Sequence, residues 1–123
     1  MAENKQYIIK NRENGSVMIS EDVITAIVAQ TVTEVEGIVG LNTKPGADIA
    51  DLIGKKNWGK GMKVIIAEDD TVAIECNVTI SYGMSVVNVA AAVQDAVRNA
   101  VESMTGVTVS AVNVNVCGIV RQQ

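Results

Sequence analysis

The chain has 123 residues, 48% of them hydrophobic, with a formal net charge of −4 and no His. That length holds one modest core, and the lack of His removes the commonest general base, the commonest metal ligand and every Ser-His or Cys-His nucleophile pair. The negative charge, with Tyr7, Trp58 and Tyr82 as the only aromatics, excludes a base-stacking, phosphate-tracking nucleic-acid surface.

Residues 1–14 are polar and show no sustained period, so the sequence predicts a flexible N-terminal arm followed by a single domain over residues 15–120. No apolar stretch of the secretory type follows Met1. No run approaches the roughly 18 apolar residues of a membrane span. The expectation is a cytoplasmic protein without direct membrane insertion. Gly15 punctuates, and Ser16 to Ile19 reads as a short strand. Ser20 then stands as an N-cap, with Glu21 and Asp22 in a first turn where the helix dipole favours acids. The spacing predicts a helix from Glu21 to Glu36, with Ile24, Ile27, Val28, Thr31 and Val35 on one face and Gly37 as its stop. Ile38 to Leu41 is a short apolar return onto the core.

Asn42 to Gly61 is irregular: a turn at Lys44-Pro45-Gly46, a helical turn or two at Asp48 to Ile53, then a lysine-rich loop. Met62 to Ala67 and Thr71 to Tyr82 read as strands joined by the acidic turn Glu68-Asp69-Asp70, hence as a hairpin. The second of them alternates cleanly. Val72, Ile74, Cys76, Val78, Ile80 and Tyr82 share one face; Ala73, Glu75, Asn77, Thr79 and Ser81 share the other. A second helix is predicted from Ser85 to Met104. Its apolar positions Val86, Val89, Ala90, Val93, Val97, Ala100, Val101 and Met104 recur every three or four residues. Gly106 suits a left-handed C-cap. In the last strand Val107 and Val109 are out of phase with Val112, Val114 and Val116, and a bulge or strand start near Ser110-Ala111 explains the slip.

The resulting order, β-α-β-β-α-β, gives an α+β fold: a two-layer domain with two helices packed on one face of a mostly antiparallel sheet. A ferredoxin-like arrangement is one candidate. The far face of the sheet would carry few charges, Glu75 and Lys63 among them, and no strand contains a Pro. Such a face and edge favour a homo-oligomer.

No catalytic, metal or cofactor residues emerge. Cys76 and Cys117 lack a ligand spacing and read as small, reduced strand residues. Gly54 to Lys60 nearly spells a phosphate-binding loop, but Gly61 stands where Ser or Thr would hold magnesium, and the segment opens a strand rather than a helix. What remains is a solvated loop, or else a docking patch built from Lys55, Lys56, Trp58 and Lys60. Five of the ten Lys and Arg residues fall between Lys44 and Lys63 in an otherwise acidic chain. A patch of that kind fits an acidic protein partner or an anionic head group.

Ile19-Ser20-Glu21-Asp22-Val23-Ile24, Glu34-Val35-Glu36-Gly37-Ile38-Val39-Gly40-Leu41, Ser81-Tyr82-Gly83, Val93-Gln94-Asp95-Ala96-Val97, Met104-Thr105-Gly106 and Val112-Asn113-Val114-Asn115-Val116 follow one another in the chain. As an ordered set they resemble the alkaline shock protein family, the envelope stress-response proteins of Gram-positive bacteria. The resemblance runs from about Gly15 to Gly118, and the short chain is most similar to the housekeeping branch. It implies a small, non-enzymatic, self-associating protein with no cofactor, held in some members at the inner face of the membrane by a membrane-anchored protein partner. Other members resemble accessory proteins of fatty-acid metabolism. The alternative, from another class, is a small ligand-binding regulatory module that senses a phosphate-bearing or acyl metabolite.

Overall fold

A computed structural model describes residues 7–41 and 61–121. In chain order it contains β1 (Tyr7–Arg12), β2 (Gly15–Ser20), α1 (Glu21–Thr33), β3 (Ile38–Leu41), β4 (Met62–Ile66), β5 (Val72–Ser81), α2 (Val86–Thr105) and β6 (Val109–Val120). The expected turn at Lys44-Pro45-Gly46, the helical turn at Asp48 to Ile53 and the lysine-rich loop lie outside the described residues.

β5 is the centre of the larger sheet. The tight turn before Thr71 sends β4 back along it in antiparallel register, with Met62 opposite Cys76 and Ile66 opposite Val72. β3 takes the other half of the same edge, also antiparallel, with Leu41 opposite Val78 and Ile38 opposite Ile80. β6 lies along the opposite edge and runs parallel to β5. A parallel neighbour needs a long crossover, and α2 supplies it. The sheet is therefore mostly antiparallel with one parallel pair. The first strand stays out of it: β2 pairs with β1 in a separate two-stranded hairpin. That removes the ferredoxin-like arrangement, whose sheet would include it.

Both helices pack on the face of β5 that carries Val72, Ile74, Cys76, Val78 and Ile80, and these five join Ile24, Val28, Val32, Val89, Val93, Val97 and Val101 in one cluster. The core is aliphatic and β-branched, which suits a pleated surface. The termini of α2 follow the sequence signals, whereas Ser20 stands at the N-cap of α1 without a side-chain capping bond. Ser85 Oγ accepts from the Asn88 N–H at 3.3 Å, and Gly106 closes α2 at φ 73° with its N–H on the Glu102 carbonyl at 2.9 Å. Bulges sit where the phase slips. Ala73 faces Ala111 while Val72 faces Val109, so Ser110 is the extra residue; a second slip leaves Cys117 extra.

Four expectations are corrected. The flexible arm does not hold for Tyr7–Arg12, which forms β1, and Ile8 is 1% exposed within the main core. α1 ends at Thr33 rather than Glu36. There the Thr33 hydroxyl donates to the Gln30 carbonyl at 2.9 Å, and the Glu34 N–H reaches back to Thr31, tightening the last turn. Ile38–Leu41 is a strand, not merely a docked return. Met104 is 69% exposed although it sits on the apolar stripe.

Candidate functional site

Lys55, Lys56, Trp58 and Lys60, the docking patch expected from the sequence, lie outside the described residues. Three other surfaces are built from described elements.

The first is a groove of about 440 Å3 between the β1–β2 hairpin, the start of α1 and the end of α2. Lys10 and Arg12 stand on its rim; Val17, Ile19, Val23 and Met104 line its apolar wall. β1 places Lys10 so that its Nζ donates to the Gly106 carbonyl at 3.0 Å. A cation thus sits at the negative end of the α2 dipole. The hairpin half of this groove was missed in the sequence because Tyr7-Ile8-Ile9 is short. The signal that marks it is the pair of turn formers Asn14 and Gly15 at the junction of two strand-like runs, where Glu13 and Asn14 form the loop and Gly15 opens β2 opposite Arg12. Gly15 has φ 138°, which an L side chain rarely adopts.

The second surface is the sheet face turned away from the helices. Asn115 Nδ2 on β6 donates to Glu75 Oε2 at 3.0 Å and to Asn77 Oδ1 at 2.9 Å, both on β5. This polar ladder is what the alternation of β5 and β6 foretells, and it carries a carboxylate but no nucleophile. Lys63, also on this face, is engaged with other groups.

The third surface is the rim where β5 ends and α2 begins. Tyr82, Met84, Val86 and Val87 are exposed there, Val87 at 75%. Ile119 and Val120 at the end of β6 are exposed too, and the Tyr82 N–H donates to the Val120 carbonyl at 2.8 Å, tying the two ends together. The Arg121 guanidinium lies 4.6 Å from the centre of the Tyr82 ring, within reach of a cation–π contact.

The titratable groups add little chemistry. Burial, with the neighbouring Glu75 charge, pushes the Cys76 thiol up to about 12, so it stays protonated and inert at neutral pH. Cys117 is exposed on β6 and is a free thiol. The Glu21 carboxyl is raised, by partial burial first and by Asp22 second. Among the described residues no three His, Cys, Asp or Glu side chains are grouped to hold a metal ion, and no helix is long and apolar enough to cross a membrane.

The profile of the alkaline shock protein 23 family, described as having a cell envelope-related function, matches residues 9–121. The chain is 36% identical over 109 residues to the uncharacterized protein Spy1535 of Streptococcus pyogenes, covering 89% of this chain and 82% of that one. It is 32% identical over 105 residues to the uncharacterized protein YqhY of Bacillus subtilis, covering 85% and 77%. A second Streptococcus pyogenes protein, Spy1614, is 32% identical over 111 residues, covering 89% and 91%. No solved structure matches the chain. With the match running from β1 to the end of β6, the chain belongs to the alkaline shock protein 23 family, whose function is cell envelope-related.

Proposed function

We propose that this protein is a non-enzymatic interaction protein of the cell envelope that works by self-association and by docking a partner at the inner face of the membrane. The observation that carries this reading is the grouping of exposed large apolar side chains. Tyr82, Met84, Val86, Val87, Ile119 and Val120 gather at one end of the domain, while Val17, Val23 and Met104 line the hairpin groove. Scattered surface hydrophobes are ordinary, but contiguous ones on a domain with a closed core mark contact surfaces. The family resemblance supports the same reading. Capture from cytosolic and membrane fractions tests the docking half. Wild-type protein should retain a defined partner, and a variant with Lys55, Lys56 and Lys60 replaced by Glu should retain much less. Equal capture by both proteins excludes the lysine patch as the docking surface.

One observation favours the second reading, a module that binds an anionic acyl or phosphate-bearing ligand: Lys10 and Arg12 rim the apolar wall of the 440 Å3 groove. Calorimetry against such ligands separates the two. A one-to-one isotherm that disappears in Arg12→Ala supports the module, and flat traces reject it.

A further inference from the structure

We propose that two copies of this chain join through the outer edge of β6, strand against strand and antiparallel, across a two-fold axis at Asn115. This rests on the self-association reading above and states where the association occurs.

Backbone alternation identifies the edge. The Val72 N–H donates to the Thr108 carbonyl and the Tyr82 N–H to the Val120 carbonyl, so the even-numbered residues of β5 turn their backbone groups toward β6. Ile74, Cys76 and Val78 lie opposite Val112, Val114 and Val116. In a parallel pair the bonds from one residue go to the two neighbours of its opposite number. Ala111, Asn113 and Asn115 therefore take part in the ladder, and Val112, Val114 and Val116 turn their N–H and C=O groups outward.

Two side-chain bonds from α2 mark the same outer edge independently. Gln94 Nε2 donates to the Val112 carbonyl at 2.9 Å, and the Val109 N–H donates to Glu102 Oε2 at 2.9 Å. Both lie toward the start of β6. Beyond them the N–H and C=O groups of Val114 and Val116 have no partner among the described residues. Natural edge strands are usually blunted by Lys, Pro or extreme shortness. Val109–Val120 is 12 residues long and contains neither a charge nor a Pro.

The occupant that fits is a second copy. An axis at Asn115 sets Val114 against Val116 of the partner subunit and the reverse, so the N–H and C=O groups of these two residues meet their complements in four hydrogen bonds. Asn115 then faces its own copy without like-charge repulsion. The helix layer agrees. Gln94 stands at the level of Val112, to whose carbonyl it is bonded. From Val112 to Asn115 the strand advances about 10 Å at roughly 3.3 Å per residue, and the same distance back along α2, at roughly 1.5 Å per residue, reaches the level of Val87, which lies on nearly the same stripe as Gln94. Val87 is 75% exposed, and the axis brings it to face its own copy.

Sedimentation of the full chain, with two variants, tests the proposal. Val87→Glu changes an exposed side chain in the first turn of a helix, where an acid is tolerated. It should raise the dimer dissociation constant at least tenfold with an unchanged melting temperature. Asn115→Cys in a Cys117→Ser background should give a covalent dimer under mild oxidation, because facing residues of a non-hydrogen-bonded pair bring their Cβ atoms within disulfide reach. A wild type that dimerises while the Asn115→Cys variant forms no cross-link overturns the β6 edge and leaves self-association standing. A wild type that stays at 13.0 kDa throughout overturns both.

Discussion

Gly37 carries two demands at once. Its φ of 98° belongs to a region L side chains rarely adopt, and a Cβ there would lie 2.8 Å from Val89 Cγ2 and 3.0 Å from Met84 Cε. Its carbonyl also accepts from the Ser81 N–H at 2.9 Å, anchoring the turn between α1 and β3 to the end of β5. Left-handed strain costs about 1–2 kcal/mol, and overpacking adds about 1–3 kcal/mol. Gly37→Ala should therefore lower stability by about 3 kcal/mol in denaturant unfolding, and an unchanged midpoint would refute this account of the turn. The two cysteines differ in the opposite sense. Cys76 is fully buried and its thiol is pushed up to about 12, whereas Cys117 is exposed. At pH 8 a thiol reagent should label one equivalent in the native protein and two after denaturation. Because the folded value lies above the ordinary 9.0, the unfolded chain loses this proton first as pH rises. The stabilisation is present in full below pH 9 and is lost between pH 9 and about 12. Two equivalents labelled in the native state would contradict the burial of Cys76.

At the level of elements, the β1–β2 hairpin is attached to the domain by Ile8, which is 1% exposed, by Ile19 packed against the core and by the bond from Lys10 to Gly106. Removing a buried Ile side chain typically costs about 2–5 kcal/mol. Ile8→Ala should lower the midpoint of unfolding for the whole domain, and a wild-type midpoint would return residues 7–12 to the status of an arm. The elements legible in the sequence were those whose signals agree at several levels. β5 has a strict period of two, and α2 has an apolar stripe, a Ser85 cap and Gly106 at its end. The bulge at Ser110 was legible because it shifts the phase of the valines. β1 and β3 were not legible as strands. Each is short, and each is fixed by pairing with a distant or neighbouring partner rather than by its own pattern. The same cause hid the β6 edge. Which strand keeps an unpaired side depends on long-range order in the sheet, and the capping by Gln94 and Glu102 appears only once α2 is seen across that edge. The lysine loop was conspicuous as charge against an acidic background, yet charge alone fixes no geometry.

For the molecule as a whole, the proposed function is that of an adhesive domain rather than a reactive one. Its helices and sheet enclose an aliphatic core, and among the described residues its surface carries apolar rims, a polar sheet face and a strand edge with unpartnered backbone groups. The sequence leads one to expect Lys55, Lys56 and Lys60 to be solvated, and solvated charges contribute little to folding. Replacing Lys55, Lys56 and Lys60 by Glu should therefore leave the melting temperature within about a degree of wild type while capture of a partner falls; a large drop in melting temperature would mean that the loop serves the fold instead. Self-association is the claim on which the proposed function turns, and light scattering on the native chain over about a hundredfold range of concentration measures it most directly. The account predicts a mass that rises from the 13.0 kDa of one chain and saturates at twice that value, as a closed two-fold assembly requires. A mass that stays at 13.0 kDa over the whole range would contradict it.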